Sequence, residues 1–112
     1  MSSTISIGDV VWVRTGEHRV KTRPAVVLSV LGDSGGTLYR IILATGTNRP
    51  PAVARVRVRR GSREARCMKL SKTSFFYGGD VAVVTVEALE LRAPRGYAPG
   101  LLVQELEALL DD

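Results

Sequence analysis

The chain is poor in the residues that build redox, metal and disulfide chemistry. Among its 112 residues there is one cysteine, Cys67, and one histidine, His18. A single thiol cannot close an intrachain disulfide, and one thiol with one imidazole falls short of the ligand set of a zinc site. Cys67 is therefore read as a small buried hydrophobe, and no metal or cofactor is expected. Aromatic residues make up only 5% of the chain, with Trp12 the sole tryptophan. Alternation of Trp12 with valines places it in the core rather than on an exposed stacking platform. No apolar run approaches the roughly 20 residues of a membrane span. The first residues, Met1 to Ser6, have neither the charged lead nor the apolar stretch of a secretory signal, so the reading is a cytoplasmic protein without membrane attachment. Internal repeats and low-complexity segments are missing too.

Acidic residues are scarce in the first two-thirds of the chain, and this is its most telling imbalance. Residues 1–72 carry fourteen Lys and Arg against four acids, a net +10. Residues 73–112 carry two Arg against seven acids, a net −5. Clustered cations gain free energy by neutralising phosphates and releasing their counterions, so the basic part suits a polyanion. With 45% hydrophobic residues the chain has enough apolar surface to fold, and its length suits one domain spanning 1–112.

The periodicity is that of strands until near the end. Val10 to Arg14 is rich in β-branched residues, and a cationic loop runs from Thr15 to Thr22. Ala25 to Leu31 is an apolar run without alternation, which predicts a strand covered on both faces. Gly32 to Gly36 turns it into an antiparallel partner, Thr37 to Thr45. Ala52 to Arg60 alternates, aligning Arg55, Arg57 and Arg59 on one strand face. That row serves either a bound polyanion or an edge strand guarded against aggregation. Cys67–Leu70, Ser74–Tyr77 and Val81–Val86 continue the strand pattern, broken at Gly78-Gly79. From Ala98 to Leu110, Leu102, Leu106, Leu109 and Leu110 recur at helical spacing, and Pro99 suits a first turn. The predicted fold is mainly β with one C-terminal α-helix, a small barrel or rolled sheet with the helix over an opening.

The order of these elements and their residues resembles the MazF/PemK family of type II toxin–antitoxin toxins. Gly8-Asp9-Val10-Val11-Trp12-Val13 is similar to the family's opening strand. Lys21-Thr22-Arg23-Pro24-Ala25-Val26-Val27-Leu28-Ser29 is similar to its Lys-x-Arg-Pro-hydrophobic signature. Ile41-Ile42-Leu43-Ala44-Thr45-Gly46-Thr47 falls where the family has a strand ending in a Thr. Lys72-Thr73-Ser74-Phe75-Phe76 and Arg95-Gly96 resemble its late strand and the approach to its last helix. Residues 49–66 have no counterpart in the pattern.

The resemblance implies an SH3-like barrel and a sequence-selective endoribonuclease. It acts on single-stranded mRNA without a metal and leaves 2′,3′-cyclic phosphate and 5′-hydroxyl ends. It also implies a homodimer and a cognate antitoxin with an acidic segment. In that chemistry the ribose 2′-OH attacks the adjacent phosphate. One group must take its proton, one must protonate the leaving oxygen, and one must stabilise the phosphorane-like transition state. Arg23 matches the family's catalytic Arg and suits the last role, its planar fork fitting two phosphate oxygens. The competing reading is a surface Arg paired with Asp9 or Glu17. Thr47, or Thr45 if the register slips, would donate its hydroxyl to the scissile phosphate. His18, the one side chain that ordinarily titrates near neutrality, is the candidate acid or base. Arg19, Lys21, Arg49, Arg55, Arg57 and Ser74 are the candidate RNA contacts. The alternatives are a non-catalytic SH3-like protein directed at a gyrase-type target, and a nucleic-acid-binding module using the Arg55-Arg57-Arg59 face.

Overall fold

A computed structural model describes residues 5–16, 21–33, 36–90 and 96–110. Six antiparallel strands form one curled half-barrel sheet. In chain order they are β1 (Asp9–Thr15), β2 (Lys21–Asp33), β3 (Gly36–Thr45), β4 (Val56–Val58), β5 (Ser74–Val84) and β6 (Gly96–Tyr97). Their spatial order is β4-β5-β3-β2-β1-β6. Helix α1 (Arg63–Met68) lies between β4 and β5 in sequence, and α2 (Gly100–Ala108) follows β6. No described helix is long and apolar enough to cross a membrane.

The apolar run in β2 is covered on both faces, as its lack of alternation predicts. Val26 and Leu28 join one buried cluster with Val10, Ile42 and Phe76, closed by Ala65 and Met68 of α1 and by Leu102 and Leu106 of α2. Ala25 and Val27 join a second cluster on the opposite face with Val11, Val13, Tyr39 and Ile41, capped by Ile5 and Leu89. The rows are set by register, with Val10 opposite Val26, Val26 opposite Ile42 and Ile42 opposite Val81. Irregularities between Val27 and Ser29 and between Ile42 and Ala44 interrupt the ladders. Extra residues of this kind bend a strand and raise its twist, which helps three long strands to curl.

Several expectations are corrected. Cys67 and Met68 are helical, so among the described residues there is a second α-helix besides the C-terminal one, and Val86, expected to end a strand, opens a short 3-10 turn over Val86–Ala88. Ser62 caps α1 by accepting a hydrogen bond from the Ala65 N–H at 3.1 Å, and Lys69 ends it in the left-handed region at φ 57°. Of the span from Ala52 to Arg60 only Val56–Val58 is strand, because Pro50 to Val53 turns instead, with the Val53 N–H bonding the Pro50 carbonyl at 3.0 Å. β5 runs unbroken through Gly78-Gly79. Gly78 is there for close approach: a Cβ on it would stand 2.5 Å from the Leu109 carbonyl oxygen. Helix α2 begins at Gly100 with Pro99 as its N-cap. Cys67 is only partly buried.

Candidate functional site

Where the helix-covered face runs past its apolar cluster, the sheet opens into a cleft of about 370 Å³. Side chains two apart on a strand share a face. Trp12 continues the row of Val10, Pro24 that of Val26, Ala44 that of Ile42, and Ser74 that of Phe76; all four line the cleft. The segment from Leu70 to Thr73, leading from α1 into β5, forms the far wall. Its cations are Arg23 and Lys72, with hydroxyls from Thr22, Thr45, Thr73 and Ser74. Among the described residues no carboxylate lines it.

Arg23 is held by the peptide chemistry of its neighbour. Continuing the register from Ala25 opposite Leu43 puts Ala44 across from Pro24, which has no N–H to offer it. The Arg23 guanidinium takes that carbonyl instead, donating from Nε at 3.1 Å and from Nη2 at 2.9 Å. Its partner is a carbonyl rather than Asp9, whose Oδ2 accepts from the Ser6 N–H at 2.9 Å; Glu17 lies outside the described residues. One edge of the fork is thereby fixed in orientation. The Arg-Pro pair is thus a local device in which proline removes a backbone donor and arginine replaces it.

The hydroxyls are ordered as well. Thr45 Oγ1 accepts from the Thr47 N–H at 3.2 Å, an interaction that leaves the hydroxyl's own proton unused. Thr73 Oγ1 accepts from the Arg60 N–H at 3.0 Å, and Ser74 donates to the Lys72 carbonyl at 3.2 Å. Thr47 does not line the cleft. It is exposed, and its carbonyl accepts from the Tyr77 hydroxyl at 2.8 Å.

Arg49 and Arg55 are committed elsewhere. Both lie over the ring of Tyr77, at 4.1 and 5.3 Å from its centroid, and Tyr77 is itself fully buried. Arg49 pairs through Nη2 with both carboxylate oxygens of Asp80, at 2.9 and 3.2 Å, while its N–H bonds the Tyr77 hydroxyl at 2.7 Å. Arg55 donates to Asn48 Oδ1 and to the carbonyls of Pro50 and Val53. Together they clamp the loop between β3 and β4. The expectation of a free row Arg55-Arg57-Arg59 is therefore corrected: Arg55 precedes the strand and is tied down. Arg57 and Arg59 border a separate groove of about 610 Å³ with Arg63, Glu64, Glu105 and Leu101.

Of the remaining candidates, Lys21 is exposed at the start of β2, next to cleft residue Thr22. His18 and Arg19 lie outside the described residues. The cleft thus brings together Arg23, Ser74 and Thr45, the alternative to Thr47, and leaves out Arg49, Arg55 and Arg57. Sequence reasoning missed Lys72 as a cleft cation and Trp12 as a cleft wall; Trp12 is partly buried and belongs to neither apolar cluster. The polar, cationic turn Ser71-Lys72-Thr73 just before a strand was the available signal. Among the described residues no three of His, Cys, Asp and Glu lie close enough to hold a metal ion. No protein-family model matches the chain, and no curated protein is significantly similar to it.

Proposed function

We propose that the protein is a metal-independent, sequence-selective endoribonuclease on the small SH3-like barrel of the MazF/PemK toxins. The observation carrying this reading is that Arg23, Thr45 and Ser74, three residues of the motifs that resemble that family, meet in one cleft with Lys72, and that its described lining includes no carboxylate. A lining of cations and hydroxyls attracts phosphate. Donors already oriented by the fold need no reorganisation as charge develops on the reacting phosphate.

In this reading the scissile phosphate of a single RNA strand lies against the outer edge of Arg23, with Lys72 adding charge and Thr45 donating its hydroxyl. The ribose 2′-oxygen attacks phosphorus, the 5′-oxygen leaves, and the products carry a 2′,3′-cyclic phosphate and a 5′-hydroxyl. His18, three residues before β2 begins, is the candidate for moving the proton. The family resemblance further implies a homodimer acting on cytoplasmic mRNA and an antitoxin whose acidic segment competes for the cationic surface.

A second reading, a nucleic-acid-binding module without chemistry, is favoured by one feature: among the described residues the cleft lining includes no imidazole or carboxylate to move a proton, His18 lying outside them. One experiment separates the two. Purified protein is incubated with a long single-stranded RNA in EDTA beside Arg23→Ala, and fragment ends are analysed. The nuclease reading expects discrete fragments with cyclic-phosphate and 5′-hydroxyl ends, and a rate loss of roughly 10²–10³-fold in the variant, as for removal of one oriented transition-state donor. Intact RNA across varied substrates would leave the binding module.

A further inference from the structure

Trp12 is the only tryptophan of the chain and stands in the wall of the cleft that holds Arg23. Its placement follows from the strand: Val10 and Trp12 share a face, but Val10 is sealed beneath α2 whereas Trp12 lies beyond the apolar cluster. Directly across on β2 is Pro24, and the next pair along sets Val13 opposite Arg23. Trp12 and Arg23 thus lie one position apart in register on neighbouring strands, and both line the cleft. Arg23 is turned by the Ala44 carbonyl, and Lys72 approaches from the far wall.

An aromatic side chain that shares a cleft with two cations, with no carboxylate among the described lining residues, has the composition that recognises a nucleotide in an unpaired strand. Bases stack on aromatic side chains through their π-faces while cationic groups follow the phosphates. A duplex keeps its bases stacked on each other, so such a wall reads splayed-out bases. At about 370 Å³ the cleft is near the lower end of the roughly 300–1,000 Å³ range of ligand pockets, enough for one base with its flanking phosphate.

We propose that Trp12 is the platform of a base-binding subsite, on which one unpaired base of a nucleic-acid strand stacks while the adjoining phosphate rests on Arg23 and Lys72. This deepens the RNA reading of the same cleft and rests on it for the ligand class, but not for the chemistry. The subsite places a chosen base beside the scissile phosphate, so Trp12 contributes to selecting where a strand is held.

Because Trp12 is unique, its fluorescence reports this contact alone. The wild-type protein is titrated with a short 2′-deoxy-oligothymidylate, which has no 2′-hydroxyl to react, and with an abasic strand of equal length and charge. Binding is followed independently by anisotropy of a labelled strand. The subsite predicts quenching of Trp12 by the oligothymidylate, little quenching by the abasic strand, and weaker binding of the latter. Trp12→Ala should lose roughly 5- to 150-fold in affinity for the oligothymidylate, the range that removal of a base-stacking aromatic spans. Trp12→Phe, which keeps a ring in the same strand position, should retain most of the affinity and controls for folding. Oligothymidylate that binds by anisotropy without quenching, or binds no better than the abasic strand, overturns the subsite and leaves the nuclease reading standing. Quenching by the strand together with intact RNA in the cleavage assay supports the subsite and removes the nuclease.

Discussion

Gly96 offers the sharpest test of how the half-barrel is closed. Strand β6 passes the end of α1 so closely that a Cβ on Gly96 would stand 2.4 Å from the Cys67 carbonyl oxygen, 2.5 Å from the Met68 carbonyl carbon and 2.8 Å from the Met68 Cα. All three are backbone atoms, so no rotamer change relieves the contact. To reach an ordinary separation, β6 or α1 must retreat by about 1 Å. Retreat of α1 pulls Ala65 and Met68, both essentially inaccessible, out of the apolar cluster; retreat of β6 strains its pairing with Asp9 and Val10. Overpacking of this kind costs typically 1–3 kcal/mol, and the rigid partner puts Gly96→Ala at the upper end. The unfolded chain loses entropy in the same substitution, which returns about 0.4–1 kcal/mol, so the net destabilisation is about 2 kcal/mol. Each kcal/mol lowers Tm by roughly 4–8 °C in a domain near this size. Urea unfolding followed by far-UV circular dichroism measures it, with Gly79→Ala as the control because a Cβ there meets nothing within 4 Å. The control should be neutral or slightly stabilised. A Gly96→Ala protein as stable as wild type would refute the close packing of β6 on α1.

Three further outcomes follow from the site and its surroundings. Thr45→Val should reduce RNA cleavage roughly 10²-fold by removing a hydroxyl from the cleft lining, while Thr47→Val leaves the rate near wild type; initial rates on a defined RNA compare them. Tyr77→Phe strips the hydroxyl that accepts from the Arg49 N–H and donates to the Thr47 carbonyl, and should cost about 1–3 kcal/mol in equilibrium unfolding, since both groups lose their partner. The Cys67 thiol, 3.4 Å from the Tyr97 hydroxyl, holds that phenol above its ordinary range through their hydrogen bond and the sulfur's charge, against the opposing pull of Arg63. A spectrophotometric titration should show the Tyr97 midpoint falling toward the ordinary value in Cys67→Ala.

What could be read from residues alone follows the length of each element. β1, β3 and α2 each carry enough apolar residues to declare their type, and β2 announced its double burial by an apolar run without alternation. Helix α1, from Arg63 to Met68, is under two turns long and cannot show a helical repeat; its only local signal is Ser62 as a cap ahead of Glu64 and Ala65. Strand β6 is two residues long, and the continuity of β5 depends on Leu109 lying across Gly78, a contact between distant segments. In the site, Arg23 was legible because its meaning is local to the Arg-Pro pair. Arg49 and Arg55 were not, because Tyr77 and Asp80, which help to hold them, are 22 to 31 positions away and turn apparent surface charge into a loop clamp. Trp12 was misjudged for a related reason: alternation assigns it to the covered face, but where that cover ends depends on how far α2 reaches.

The order of the strands bears on how the molecule assembles. β1, β2 and β3 are neighbours in sequence and in space, so their pairing needs only short loops to close. The remaining closure is of a different kind, since β6 meets β1 by joining Tyr97 to Asp9 across 88 positions of chain. Contacts that distant carry a large loop entropy before they return any stabilisation, which favours their forming late. Until they form, Val10, Val26 and Ile42 face solvent on the side that α2 later covers. The polypeptide thus passes through a stage in which a sheet is present but one apolar side is bare, the stage at which chaperones compete with aggregation.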